Sequence, residues 1–129
     1  MRTFDKNSLH FISLFELVTG VAPIDCVIKD IIYFVVPKEK INIVLTKGRK
    51  KIKTLEKHIG KQVVVYPYFK TKEEFIKGVI SDRVKIKDSD NSLKIFINRL
   101  DNKKVKRDRE AITSFLKRIY NVENVLFRF

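Results

Sequence analysis

The sequence predicts an α+β protein made of two small tandem units, each with a three-stranded sheet packed on helices. The order α-β-β-α-α-β occurs twice along the 129 residues, at a spacing of about 64 residues. Short apolar strand segments alternate with stripes of apolar residues at helical spacing. Ten Phe and a hydrophobic fraction of 44% supply enough apolar surface for a buried core. The predicted units are residues 1–69 and 70–129.

The elements of the first unit follow from local signals. Gly20 and Gly60 each follow a helical stripe and are typical helix ends. The run 31–36 is continuously apolar and β-branched or aromatic, which is typical of a buried central strand. Pro37 ends that strand and suits the first turn of a helix. Helices are predicted over residues 9–18, 38–45 and 50–59, and strands over 24–28, 31–36 and 62–66.

In the second unit, Thr71 and Glu74 form a capping box that opens a helix carrying Phe75 to Ile80. The polar stretch 88–92 predicts a turn between two strands. Another helix carries apolar residues from Ile112 to Ile119. Strands are predicted over residues 83–87, 93–98 and 124–129.

Aromatic residues in or beside the strands of the first unit are mostly predicted to belong to its core, rather than to stack on a ligand. Tyr66 and Tyr68 alternate with Val65 and Pro67, which would expose one face of that strand. The residues concerned are Tyr33, Phe34, Tyr66, Tyr68 and Phe69.

A short cationic turn, residues 46–49, lies between the two predicted helices of the stretch 41–59. Six basic residues crowd this turn and the helix after it, against one acid, Glu56. A helix N-terminus offers unpaired N–H groups and a partial positive charge, so this arrangement is a plausible grip for a phosphate backbone. The alternative is a surface helical hairpin with an ordinary solvated lysine face.

The net charge of +13 favours anionic partners, with nucleic acid first and an acidic membrane surface or an acidic protein next. The alternative is that the lysine content reflects genome composition or heat adaptation. Cys26 is the single cysteine, which argues against a disulfide framework and predicts a buried thiol in a reducing compartment.

Motifs for catalysis are missing from the sequence. His10 and His58 have no nearby Cys, Asp or Glu at metal-ligand spacing, and no nucleophile elbow, phosphate-binding loop or dinucleotide fingerprint occurs. We therefore expect neither an enzyme nor a cofactor. No signal peptide or membrane-spanning run is present, which predicts a soluble cytoplasmic protein without membrane contact.

Four segments make the sequence similar to a known family. It resembles the archaeal NusA-like transcription termination factors, which consist of two consecutive type II K homology (KH) domains. The resemblance covers nearly the whole chain and is carried mainly by residues up to 80. The segments are LHFISLFELVTGVAPIDCVI, IIYFVV, LTKGRKKIKTLEKHIGKQVVVYPY and EEFIKGVI.

The resemblance implies that each unit holds RNA with a Gly-x-x-Gly turn, where glycines let the sugar-phosphate backbone approach closely. Bases would then lie over an apolar groove and pair through main-chain contacts, which favours single strands. Alignment on Leu55 and Glu56 places this turn at 46–49. Lys47 is kept, whereas Thr46 and Arg49 stand where the family has glycines.

The second unit departs further from the family. No glycine follows Gly78, and the region 99–107 is several residues shorter than the family's helix and turn. Either a shortened helix-turn-helix remains, or Val105 joins Ile112, Phe115 and Ile119 on one continuous helix. The residues implied to contact RNA in the two units are Thr46, Lys47, Gly48, Arg49, Lys50, Lys51, Lys53, Lys103, Lys104, Lys106, Arg107 and Arg109.

The expected function is that of a monomeric RNA-binding factor in transcription elongation or termination, which contacts single-stranded RNA largely through charge. RNA polymerase is a further expected partner. Two alternatives stay open. One is a KH-derived protein-docking module on RNA polymerase or another acidic partner, with RNA binding lost, and the other is a ribosome-associated KH protein.

Overall fold

The computed structural model describes residues 6–89 and 92–129, and it confirms an α+β protein with two small three-stranded sheets packed on helices. The chain divides into two compact units, Met1–Tyr68 and Phe69–Phe129. Both sheets have the same pattern, in which the first two strands pair antiparallel and the third pairs parallel with the second. The repeat of element order in the sequence therefore corresponds to a repeat of topology.

The first unit runs through two helices and three strands. Helix α1 ends where Gly20 takes a left-handed φ of 77° and donates its N–H to the Glu16 carbonyl at 2.8 Å. A 3-10 turn over Lys38–Lys40 leads into α2, and Gly60 ends α2 with a φ of 80°. The elements are α1 (Lys6–Thr19), β1 (Asp25–Ile28), β2 (Ile32–Val36), α2 (Ile41–Ile59) and β3 (Val63–Pro67).

The core of the first unit lies between the sheet and the two helices. Alternate residues of the central strand β2 point into it, and the rings of Phe15 and Phe34 pack 4.3 Å apart between centroids. All five residues of β2 are buried, which confirms the prediction of a central strand. Tyr33, Phe34 and Tyr66 are buried, which confirms that most of these rings belong to the core, whereas the predicted exposure of the strand face carrying Tyr66 was wrong.

Strand β3 forms one edge of this sheet, which has the order β1-β2-β3. At its start the Gln62 carbonyl accepts from the Ile32 N–H at 3.0 Å, and at its end the Tyr68 N–H donates to the Val36 carbonyl at 2.8 Å. In a parallel ladder only every second residue of a strand directs its backbone N–H and C=O toward a given neighbour. In β3 these are the even-numbered residues from 62 to 68, whose backbone groups bond to β2. The backbone N–H and C=O of Val63 therefore point to the open edge.

The second unit contains α3 (Lys72–Val79), β4 (Lys85–Ser89), β5 (Ser92–Phe96), α4 (Asn102–Tyr120) and β6 (Asn124–Arg128), with a 3-10 turn over Arg99–Asp101 before α4. The Thr71 hydroxyl accepts from the Glu74 N–H at 3.2 Å, which confirms the predicted cap of α3. Phe75 and Phe115 are fully buried and pack edge to face across the unit. Asp90 and Asn91, within the predicted polar turn, lie outside the described residues.

The question left open for the region 101–120 is settled by α4, which is one continuous helix. Val105, Ile112 and Phe115 are all fully or almost fully buried and Ile119 is half-buried, so a single apolar stripe runs through α4 from residue 105 onward. Within α4, therefore, no turn corresponds to the one that interrupts α2. Its last residues are followed by Asn121 in a left-handed conformation, φ 57°, which is a common helix end.

Candidate nucleic-acid interface

The predicted cationic turn interrupts α2 with an unusual backbone. Thr46 is extended, with φ −66° and ψ 161°, whereas Lys47, Gly48 and Arg49 are all left-handed, with φ of 53°, 64° and 65°. A left-handed residue with a side chain costs roughly 1–2 kcal/mol, whereas glycine adopts this conformation freely. The conformations of Lys47 and Arg49 persist only where surrounding contacts hold them.

Arg49 makes such a contact. Its Nη2 donates to the Val63 carbonyl at 3.3 Å, across the gap between the turn and β3. From two helical turns further along α2, Glu56 Oε2 accepts from the Val63 N–H at 2.7 Å. The two side chains thus occupy both outward backbone groups of Val63, which an edge strand normally leaves for water or a ligand.

Three lysines of the predicted site are exposed. Lys47, Lys50 and Lys53 make no hydrogen bond or ion pair through their side chains within residues 6–89 and 92–129. Lys51 differs, because its Nζ lies 3.4 Å from the Thr19 carbonyl at the end of α1. The predicted set therefore separates into three lysines that project into solvent and two cations, Lys51 and Arg49, that contact the protein.

An open cleft of about 570 Å³ lies along the second half of α2 and the loop that follows it. Lys53 and Lys57 line it one helical turn apart, and Lys61 follows in the loop, where its Nζ donates to the Lys29 carbonyl at 3.1 Å. Gly60 and Gln62 complete the lining beside Glu56. The sequence-based site omitted Lys57 and Lys61, although Lys57 lies four residues after Lys53, a spacing that places both on one face of a helix.

The basic residues predicted for the second unit do not form one surface. At 100° per residue they are spread around α4 rather than along one side. Lys104 Nζ lies 3.4 Å from the Ile80 carbonyl, and Lys106 Nζ lies 5.3 Å from the centre of the Phe129 ring. The Arg107 guanidinium donates to both carboxylate oxygens of Asp108, at 2.7 and 2.9 Å. Only Lys103 and Arg109 are exposed without such a contact, among the described residues.

The histidines and the cysteine do not form a further candidate site among the described residues. His10 and His58 are exposed, and Cys26 is buried in the core of the first unit. Within the described ranges, no three His, Cys, Asp or Glu side chains are grouped so as to hold a metal ion. None of the described helices combines the length and the apolar character needed to cross a membrane.

The similarity of this chain to known proteins is a similarity of fold. No family model matches the chain, and no curated protein matches it. Among solved structures it is similar to the crystal structure of APE1850, with a TM-score of 0.76 and 21% sequence identity. The match covers 97% of this chain and 100% of that one, so the arrangement of elements is shared over nearly the full length.

Proposed function

We propose that this chain is an RNA-binding transcription factor of the NusA-like type, built of two type II KH domains and acting in the cytoplasm as a monomer. Its ligand is single-stranded RNA, held near RNA polymerase mainly through phosphate contacts. No reaction is catalysed and no cofactor is needed. The observation that carries the proposal is the group of three unengaged lysines, Lys47, Lys50 and Lys53, at and just after a left-handed turn.

The physical support comes from the position of these charges. The turn lies where the second helical part of α2 begins, and a helix N-terminus attracts anions. Phosphate contacts of this kind position a nucleic acid without reading its sequence. The cleft adds Lys53 and Lys57 of α2 and Lys61 of the following loop to the basic surface, with Glu56 as the acid in its lining. When the two helical parts of α2 on either side of the turn are counted separately, the first unit has the α-β-β-α-α-β order expected of a type II KH domain.

The test is the salt dependence of binding to a labelled single-stranded RNA. Each phosphate neutralised on a single strand contributes about 0.7 to the slope of log affinity against log salt. Replacing Lys47, Lys50 and Lys53 by Gln should therefore flatten the slope by about 2.1, which is three times 0.7. A control of equal charge change replaces the exposed Lys70, Lys77 and Lys117 by Gln and should leave the slope unchanged.

The proposal fails if the wild-type chain shows no measurable RNA binding, or if the two triple variants have equal slopes.

A protein-docking module on RNA polymerase is a second candidate, favoured by one observation. The Val63 backbone groups at the edge of β3 are already occupied by Arg49 and Glu56, which leaves fewer groups for base recognition. Two results together would support this candidate. The wild type should bind purified, RNase-treated polymerase but no RNA, and the Lys47, Lys50 and Lys53 variant should lose the binding to polymerase.

A further inference from the structure

One face of the second sheet consists of residues that lie outside the predicted RNA-binding site. The register pairs Lys85 with Phe96 and Lys87 with Lys94, and on the other side of β5 it pairs Phe96 with Arg128. Side chains alternate between faces along a strand, so nine residues share this side. We call it the outer face of the second sheet, and it comprises Lys85, Lys87, Ser89, Ser92, Lys94, Phe96, Asn124, Leu126 and Arg128.

This outer face is exposed and carries only positive charge. Lys85, Lys87 and Arg128 are exposed, Lys94 is half-buried, and none of the four forms an ion pair within the described residues. The acid of β4, Asp88, belongs to the opposite side of the sheet, and its carboxylate binds Lys72 of α3 at 2.7 Å. Four cations therefore share a surface with no carboxylate among its described residues.

Lys87 and Lys94 make this surface electrostatically unfavourable in isolation. They are direct cross-strand partners, which places their Cβ atoms about 5 Å apart. Like charges in directly opposite positions destabilise a sheet, and ordinary solvated sheet faces relieve this with residues of the opposite sign. An anionic ligand laid across the strands would supply the missing charge.

Phe96 gives the surface a second property. Its side chain is 40% exposed, and its two neighbours across the strands are Lys85 and Arg128. An exposed aromatic ring flanked by cations is the arrangement on which a base of a single strand stacks, with its phosphates on either side. An acidic peptide would satisfy the charges but would make no comparable use of the ring.

We propose that the outer face of the second sheet is a second binding surface for single-stranded RNA, on which a base stacks on Phe96. The phosphates are neutralised by Lys85, Lys87, Lys94 and Arg128. The choice of RNA as the polymer rests on the proposed function, whereas the surface itself shares no residue with the turn in α2. Single-stranded DNA and acidic peptides serve as comparison ligands.

The first experiment measures the charge contribution. The Lys87→Gln, Lys94→Gln double variant should flatten the salt slope of RNA binding by about 1.4, which is twice 0.7. Removing a like-charge pair leaves the fold intact, so the urea midpoint should stay the same or rise. The matched control, Lys70→Gln with Lys77→Gln, has the same net charge and alters surface outside both proposed sites.

The second experiment measures stacking. Phe96→Leu keeps an apolar side chain and removes the ring face, and it should weaken RNA binding about fivefold or more. Phe129→Leu is the control, because Phe129 is also exposed, at 48%, but packs against Phe127 and lies beneath Lys106 of α4. An RNA carrying 2-aminopurine should show quenched fluorescence with the wild type and less quenching with Phe96→Leu.

The outcomes separate this inference from the proposed function. If RNA binds, but the Lys87 and Lys94 variant matches its control in slope, or the two Phe variants bind equally, the outer face is not an RNA surface. If Phe96→Leu weakens binding of oligoglutamate as much as binding of RNA, the face is a general acidic docking surface and the inference is overturned. Tighter binding of a DNA strand of the same sequence would overturn the choice of RNA. Absence of all RNA binding by the wild type rejects both proposals together.

Discussion

Removal of the Tyr120 hydroxyl should loosen the start of the second unit without disturbing its core. The hydroxyl accepts from the Phe69 N–H at 3.2 Å and donates to the Phe69 carbonyl at 2.7 Å. A typical hydrogen bond contributes about 0.5–1.5 kcal/mol net, so the loss of two should lower the free energy of unfolding by about 1–3 kcal/mol. The lower half of that interval is expected for Tyr120→Phe, because both residues are half-buried and water replaces part of the lost bonding.

The assay combines urea unfolding with hydrogen exchange at the Phe69 amide. Phenylalanine keeps the ring that packs 5.2 Å from Phe75, so a further Tyr120→Leu variant separates the ring from the hydroxyl and should lose more stability. In Tyr120→Phe, exchange at the Phe69 amide should accelerate more than exchange in the strands of the sheet. A change in unfolding free energy below about 0.3 kcal/mol, with unaltered exchange at Phe69, would refute the reasoning.

Three further predictions concern single residues. Arg83 donates to the Asp101 carboxylate and holds the pKa of Asp101 below its usual value. The stability that this carboxylate contributes is therefore complete above the usual pKa and is lost as the pH falls through the lowered pKa. Asp101→Asn should abolish this part of the acid unfolding curve. Gly48→Ala should cost roughly 1 kcal/mol in urea unfolding, because the new Cβ meets nothing within 4 Å but φ stays at +64°. Glu56→Ala should speed hydrogen exchange at the Val63 amide by freeing its N–H, whereas Glu56→Gln, which keeps an acceptor oxygen, should change the exchange less.

The strands were predictable to within two residues because their signals are local, whereas α4 begins ten residues before the apolar stretch 112–119 that predicted it. Gly20 and Gly60 occupy left-handed helix ends, which is why their positions in the sequence indicated the ends of α1 and α2. The break in α2 was also predictable, because a glycine within a cationic run interrupts the apolar stripe. The continuity of α4 remained open because a stripe through Val105 has the same spacing whether or not a turn interrupts it.

The contacts of the candidate site could not be predicted in the same way. Arg49 lies 14 residues before Val63, and only the packing of α2 against the sheet brings its guanidinium to that carbonyl. The alternation of Lys85 and Lys87 along β4 was visible in the sequence, but the pairing of Lys87 with Lys94 depends on the register of a hairpin. Charge at a turn can thus be inferred from composition, whereas the partner of each charge is set by tertiary structure.

In the KH domain that we propose for the first unit, Arg49 stands at a glycine position of the turn, and its side chain also occupies the edge of β3. A glycine at position 49 would take the left-handed conformation without strain, but it could not reach the Val63 carbonyl. Arg49 adopts the strained left-handed conformation and donates a hydrogen bond to that carbonyl, while the Glu56 carboxylate accepts one from the N–H of the same residue, Val63. A base that pairs with this edge must therefore displace two side chains, one of them a carboxylate that repels phosphate. Phosphate binding at Lys47 requires no such displacement, which is why we expect the turn to hold RNA with little discrimination between bases.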